Sequence, residues 1–498
     1  MIFDDIKQLE AKKKIIILGA GFSSLSASCY LAQAGYDVLV LEKNNVAGGR
    51  ARQLKRDGFI FDMGPTFYWM PDVFEKFFGD FDRKVNEFYQ LNRLSPSYKV
   101  CFGTDDYLQI DADLAVIKRT FEALEPGSSL YLEQFLLKAK DYYDIAVKDL
   151  VYKPGEKLSE IVTPATIKRM AAFTKTIKKD VARYVKHPKL QKVLEFPVLF
   201  LGAKPSNTPS FYSFMNYADF VLGTWHPQGG MYEVAAGMYR LAKELGVRFE
   251  FHSPVDEIMI EHDMVTKIRS GNQEFKCDVL LSGADYRHTE QLLPDRYRQY
   301  SENYWKRRTF APSALLFYVG FDKPLEQMEH HTLFFDVDFD KHASAIYDTK
   351  MYPDEPLFYA SFPSKSDPTV APVGKEAGIF LIPLAPGLND TEAIREKYFN
   401  VIVERIEHLT KQNVRSHVLF KESFGVSDFV SLYNSYKGNA YGLANTLLQT
   451  HVLRPKLRSR KVKNMFFTGQ LTVPGPGVPP SIISGKIVSD LIIKHIAP

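Results

Sequence analysis

An α/β fold organised on a parallel sheet follows from three features of the 498-residue chain. Residues 13–19 read KKIIILG, an apolar β-favouring run that meets glycine at once, as a buried parallel strand does. Residues 23–34, SSLSASCYLAQA, are small and apolar and suit a helix packed on a sheet, with Gly35 as its stop. Residues 37–42, DVLVLE, read as a second strand. Strand, helix and strand in this order make a βαβ unit, whose two strands run parallel.

The rest of the chain divides by pattern. From about residue 108 to 203, apolar residues recur at three- and four-residue spacing and predict helices. Residues 249–281 return to strands, FEFHSPVDEIMI, MVTKIRS and EFKCDVLLS, separated by turn signals such as Gly271-Asn272. Residues 312–383 are strand-rich, and 391–411 predict one amphipathic helix. The end reads strand, glycine-rich loop, helix: NMFFTG, QLTVPGPGVPP, SIISGKIVSDLIIKH. The PGPGVPP run lies between a strand and a helix, so it predicts a fixed turn rather than a spacer.

Composition excludes several classes. Apolar residues make up 45% and charged residues 24%, both ordinary for a globular chain. With 63 basic against 59 acidic residues, the net charge of +4 is too small to imply a nucleic-acid partner. Cys29, Cys101 and Cys277 are far apart, with neither metal-ligand spacing nor a disulfide framework, and predict a reducing, cytoplasmic setting. The opening MIFDDIKQLEAKKK lacks the basic start and apolar run of a secretion leader. No run reaches about 18 apolar residues, so contact with one membrane face is the only membrane role expected. Aromatic content is 13%, with 37 Phe and 27 Tyr, which suits a large apolar cavity as well as an aromatic-rich core.

The turn between the first strand and helix, Gly19-Ala20-Gly21-Phe22-Ser23-Ser24, has the spacing of a Rossmann-like dinucleotide site. Gly19 permits the tight turn, and Gly21 lets a pyrophosphate approach the backbone at a helix N-terminus. Glu42, ending the second strand beside Lys43, is placed to accept from both ribose hydroxyls and to repel a 2′-phosphate. Ser24 replaces the third glycine, a position that serves helix–strand packing. Gly48-Gly49-Arg50 follows, a loop suited to crowd a phosphate with a fixed guanidinium. The segment ending Gly64-Pro65-Thr66 gives a short strand and a sharp turn. Near the C-terminus a strand ends on Gly469-Gln470, and a helix starts near Val478, Pro479 and Ser481, aimed by its dipole at the flavin N1 and C2 carbonyl. FAD rather than NAD is therefore expected, in one domain built from both ends of the chain.

The blocks GAGFSSLSASCYLAQAGYDVLVLEKNNVAGGRA, GFIFDMGPTFYWMPDVFEKFF and TGQLTVPGPGVPPSIISGK resemble the bacterial phytoene desaturases. These are carotenoid and retinoid oxidoreductases among the amine-oxidase-like flavoproteins. The segments at 223–238, 279–289, 329–335 and 435–450 share the resemblance. It implies a GR2-type flavoprotein with a mixed-sheet substrate domain and a helical membrane-associating region. The corresponding segments are 1–107, 223–290 and 455–498 for FAD, 108–222 for the helical region and 291–454 for the substrate. It also implies an adenine contact near Val255, and desaturation of a linear C40 carotenoid, phytoene towards lycopene, with quinone or oxygen as final electron acceptor.

Such a reaction passes a hydride to flavin N5 while the protein orients an apolar chain and excludes water. Binding must come from buried area, at about 25 cal/mol per Å². Asp62, His226, His330 and His331 are the candidate proton acceptors. A structural or surface role is the favoured reading of each, and allylic cation character offers, as a hypothesis, a route without a dedicated base. A C40 substrate is drawn from the bilayer, so peripheral membrane contact is expected. The basic stretch 168–192, with Ile167, Met170, Phe173, Ile177, Val181, Tyr184 and Val185 interleaved and 196–201 following, is the predicted docking face. The competing readings are a desaturase of a hydroxylated or cyclised carotenoid, an amine oxidase of the same fold, and a flavin-free isoprenoid carrier.

Overall fold

The computed structural model describes residues 12–496 apart from 149 and 203. The leader reading of residues 1–11 and the helical limit at 203 lie outside the described residues. Five parallel strands form one sheet in the order Met465–Phe467, Val279–Ser282, Lys14–Leu18, Asp37–Leu41, Arg248–Glu250. Ile16 lies between Leu280 and Leu39, and Leu281 pairs with Phe466. Ile15, Ile16 and Ile17 are fully buried, which explains why this strand is apolar on both faces.

The helix Phe22–Gln33 packs against the C-terminal helix Val478–His495. Small residues set their distance: a Cβ on Gly485 would come 2.4 Å from the Ser23 carbonyl oxygen. Ser26 Oγ donates to Ile482 O at 2.8 Å. The two ends of the chain thus share one domain.

A seven-stranded mixed sheet forms the second lobe, in the order Val418–Phe424, Ser313–Phe321, Glu376–Leu384, Phe358–Ser361, His331–Phe334, Tyr98–Gly103, Asp106–Ile110. Its neighbours are antiparallel except His331–Phe334 with Tyr98–Gly103. Along Ser313–Phe321 the side chains alternate. Leu315, Phe317 and Val319 share a core with Tyr398, Phe399 and Ile402 of the helix Glu392–Thr410. Ala314, Leu316 and Tyr318 meet Phe59 and Phe61 on the other face.

Three details depart from the pattern reading. The boundary at 107 cuts the strand Asp106–Ile110, because the strands from Tyr98 on pair into the second sheet through long-range contacts. The run from 249 splits into Arg248–Glu250, in the parallel sheet, and Glu257–Glu261, in a separate antiparallel meander with Met264–Ser270 and Gln273–Lys276. The basic stretch 168–192 is a chain of short helices, Met170–Thr174, Ile177–Tyr184 and Pro188–Glu195. Its Ile177, Val181 and Val185 are fully buried, so the apolar face from 177 on packs inward rather than outward. Lys178 pairs with Asp340, Lys189 with Asp106, and the buried Asp180 with Lys138. Among the described residues no helix is long and apolar enough to cross a membrane.

Candidate functional site

The glycine-rich turn is closed by the carboxylate at the end of the second strand. Ala20 N–H donates to Glu42 Oε2 at 2.7 Å, and Asn44 donates to Oε1 through its backbone and side-chain nitrogens, each at 2.9 Å. Gly19 takes φ +84°, a left-handed conformation that L side chains rarely adopt. Phe22, expected at the site, has its ring in the core, and Ser23 is buried at the contact with Gly469. The loop with Gly48 and Gly49 lies directly on this turn: Gly48 N–H donates to Ala20 O at 2.8 Å, and a Cβ on Gly49 would stand 3.1 Å from Gly21 Cα. Ser24 is tolerated because its partner across the interface is Gly283, where a Cβ would fall 2.0 Å from Ser24 Oγ. The sequence has moved the missing side chain from one wall to the other.

Gly64, Pro65 and Thr66 cross this loop from the substrate side. A Cβ on Gly64 would come 2.2 Å from Arg50 O. Arg50 Nη2 donates to Ser435 Oγ at 3.1 Å, its guanidinium lies 5.2 Å from the centre of the Tyr433 ring, and its buried Nε has no partner. Burial lowers the Arg50 pKa. Lys43 is turned to Ser431 O and Asn434 Oδ1, at 2.9 and 3.1 Å, and so ties the turn to the second lobe. Val255 is half-buried in the loop after Arg248–Glu250, whose Ser253 N–H donates to Glu42 O at 2.9 Å.

The C-terminal segment completes the ring of elements. Ser484 Oγ accepts from Gly469 N–H and lies 3.0 Å from Thr468 Oγ1. Arg454, almost wholly buried, donates to the carbonyls of Leu443 and Gln470, holding two loops together. Gln470 Nε2 is 3.5 Å from Asn439 Oδ1. At the helix start, Pro479 and Pro480 have no N–H and Ser481 N–H bonds Gly477 O, so Val478 supplies the remaining amide donor of that turn. Ser481 Oγ also donates to Gly477 O, rather than capping the helix.

Beside this ring lies a wall of aromatic and neutral polar groups. Phe67 stacks on His331 at 4.0 Å and 14°. It meets Trp69 and Phe196, which in turn contacts Tyr98 and Phe335. Tyr359 Oη lies 2.8 Å from Thr66 Oγ1 and 2.6 Å from His331 Nδ1. Tyr347, Tyr359 and Tyr441 each keep accessible surface, yet burial raises each phenol, that of Tyr441 to about 12.

Three of the candidate proton acceptors are engaged in structure. Asp62 accepts from Met231 and Tyr232 N–H, at 2.7 and 3.1 Å, at the start of the helix Tyr232–Glu244. Burial nevertheless raises it to about 6. His226 Nε2 lies 3.1 Å from Asp367 Oδ2, and His330 Nδ1 lies 2.5 Å from Ser366 Oγ. Burial, then the neighbouring imidazoles, holds His330 and His331 well below the ordinary histidine value, so both are neutral.

The site fits FAD on two observations. A Cβ on Gly21 would meet nothing within 4 Å, so the backbone there faces room for a pyrophosphate, and Arg50 Nε is a buried cationic donor lacking an acceptor. The chain belongs to the flavin-containing amine oxidoreductase family, whose model matches residues 22–493. It is an oxidoreductase with FAD as cofactor. It is 40% identical to a carotenoid 3,4-desaturase of Haloarcula japonica, over 97% of this chain and 98% of that one. It is 32% identical to a 4,4′-diapophytoene desaturase (4,4′-diaponeurosporene-forming) of Staphylococcus aureus, over 97% and 99%. An oxidoreductase structure from Methanosarcina mazei superposes with a TM-score of 0.64 at 15% identity, covering 96% of this chain and all of that one, which shows the shared fold.

Sequence reading did not find Tyr359, Ser435, Asn439 or Arg454. Asn439 and Ser435 stand in the SYKGNAYG segment that resembled the family, but no spacing tied them to Arg50. Tyr359 lies in a strand whose partners are set by sheet pairing alone.

Proposed function

We propose that the protein desaturates a long acyclic carotenoid, with phytoene converted towards lycopene as the first reading. The observation that carries this is the wall just described: Phe67, Trp69, Phe196 and Phe335 around imidazoles that stay neutral, a lining suited to a hydrocarbon and lacking a charged handle for an amine. Bound FAD supplies the two-electron acceptor that no side chain provides. The chain's own residues then have three tasks. Arg50, Glu42 and the backbone around Gly21 hold the cofactor. The aromatic wall orients the polyene by buried area. The covering loops at 64–67 and 439–445 keep water out.

A second reading has its own support. The relative at 40% identity is a carotenoid 3,4-desaturase, which favours a modified carotenoid, hydroxylated or cyclised, as substrate. Expression in one host that accumulates phytoene and another that accumulates a hydroxylated acyclic carotenoid separates the two. New, longer-wavelength pigments on chromatography are expected in at least one host. Unchanged pigments in both, with flavin-loaded protein present, would sink the proposal.

The substrate's home is the bilayer, and the docking face proposed here keeps the start of the stretch that sequence suggested, with Ile167 and Met170, and leaves out its inward-packed part from 177 on. Leu158, Val162, Ile167 and Met170 are more than half exposed, and Leu448 is 76% exposed. The two segments are joined, with His451 Nε2 at 3.4 Å from Glu160 Oε2 and Lys456 Nζ donating to Gly155 O at 2.7 Å. Exposed Lys157, Lys168 and Lys175 are interspersed, each worth about 1 kcal/mol near an anionic surface. Replacing Leu158, Val162 and Met170 by glutamate is expected to abolish flotation with phosphatidylglycerol vesicles while leaving the flavin bound. Undiminished flotation would remove this face from consideration.

A further inference from the structure

Thr66, Tyr359 and His331 form a hydrogen-bonded chain whose far end is open. His331 is wholly buried at the start of the strand His331–Phe334, held between the stacked Phe67 ring and His330, whose ring centre is 4.4 Å away. Its Nδ1 meets Tyr359 Oη, and its Nε2 is buried with no partner. Leaving such a group unsatisfied is destabilising, and a phenylalanine in its place would complete the aromatic stack without that cost. Its neighbours differ: Asp62, His226 and His330 each have a packing partner described above. Tyr359 in turn keeps accessible surface, and Thr66 belongs to the turn that crosses the expected cofactor loop.

We propose that Tyr359 and His331 together accept the proton released in desaturation, Tyr359 from the substrate and His331 through Tyr359. The proposal rests on the carotenoid-desaturase reading. Bound FAD would supply the hydride acceptor, and loss of a hydride would leave the C–H bond on the adjacent carbon of the polyene strongly acidic. That bond breaks, and its electron pair becomes the second bond of the new C=C. The proton bonds to Tyr359 Oη as the phenol's own proton moves to His331 Nδ1. The phenol is regenerated, the imidazole becomes a cation, and charge and electrons balance. The neutral imidazole must then carry its hydrogen on Nε2, the nitrogen that lacks an acceptor. Because burial disfavours the cation, the proton is held only briefly and leaves by the same path through Tyr359, which keeps accessible surface.

The test uses the flavin-loaded full chain with Tyr359→Phe and His331→Gln. Three quantities are read: flavin content, carotenoid affinity from the polyene absorption shift, and the rate of anaerobic flavin bleaching by carotenoid. Flavin content and affinity are expected within about twofold of the parent, with bleaching slowed about 100-fold in each variant. The double variant is expected to be no slower than the slower single one, since both act on one path. Bleaching within about threefold of the parent in Tyr359→Phe would overturn the proposal. If that variant loses its flavin, His331→Gln decides by the same criterion. If the parent itself is not bleached by any carotenoid, the substrate reading has failed. The relay is then judged on the 15N shifts of labelled histidine. A hydrogen on Nε2 of His331 supports it, and one on Nδ1 overturns it.

Discussion

Gly21→Ala and Gly64→Ala are expected to yield protein without flavin for opposite reasons, and only one of them should damage the fold. At Gly21 the backbone is ordinary, with φ −78° and ψ 175°, and an added Cβ meets no atom within 4 Å. An alanine there costs the polypeptide almost nothing, but it projects into the space where the fingerprint brings a pyrophosphate against the backbone. The purified variant should show the parent's circular dichroism and melting behaviour in the flavin-free state. Its flavin absorbance should fall to roughly a tenth or less of the parent's, a loss of about 1.4 kcal/mol or more at cofactor concentrations well below Kd. Gly64 is the reverse case. Its Cβ would sit 2.2 Å from Arg50 O, a backbone atom fixed by the turn Gly49–Ala51. Either the 64–66 turn or the Arg50 loop must shift, and overpacking of this kind costs about 1–3 kcal/mol. Lower stability and lost flavin should therefore appear together in Gly64→Ala. Full flavin occupancy in Gly21→Ala would place the cofactor elsewhere than against this turn.

The contrast between these glycines also marks how far sequence could reach. The βαβ unit was readable because strand, turn, helix and terminal Glu42 fall within thirty-odd residues, where local rules operate. The joining of both chain ends was readable from the glycine-rich C-terminal turn. What was not readable depends on contacts between distant segments. Ser24 departs from the fingerprint's third glycine, and the glycine that makes room for it, Gly283, lies in a distant segment. The basic stretch looked amphipathic and outward-facing, but the helix Ser128–Lys148 takes up its neighbour's apolar side, and Lys138 neutralises Asp180. The histidine pair at 330–331 was visible as residues, not as roles, because Tyr359 and Ser366 approach it only through sheet pairing and a following turn.

Asp219→Asn is expected to make the protein more stable at pH 8 than its parent and to flatten the dependence of stability on pH. Asp219 lies in the turn Ala218–Leu222 and is 1% exposed. Tyr98 Oη donates to its Oδ2 at 2.7 Å, and Thr224 Oγ1 is 3.5 Å from Oδ1. Burial dominates these hydrogen bonds and raises the carboxyl to about 7. The sign follows from linkage. The unfolded chain releases this proton near pH 4, whereas the folded protein keeps it until about pH 7. Stability from the group is complete below pH 4 and is lost as pH rises through 7. About three pH units at 1.4 kcal/mol each put an upper bound of roughly 4 kcal/mol on the loss. Asp62 and Glu290, raised by burial to about 6 and about 7, act in the same direction, so a slope should persist in the variant but be shallower. Asparagine can still accept from Tyr98 and donate to Thr224. Melting curves from pH 5 to 8.5 measure the effect, and parallel curves for parent and variant would refute it. The consequence reaches the substrate. Tyr98 touches Phe196, and Phe196 touches Phe67, so an ionised Asp219 would put a charge directly behind the aromatic wall. Below about pH 7 a protonated Asp219, with imidazoles at 330 and 331 that stay neutral, leaves that wall uncharged, the condition an apolar polyene requires.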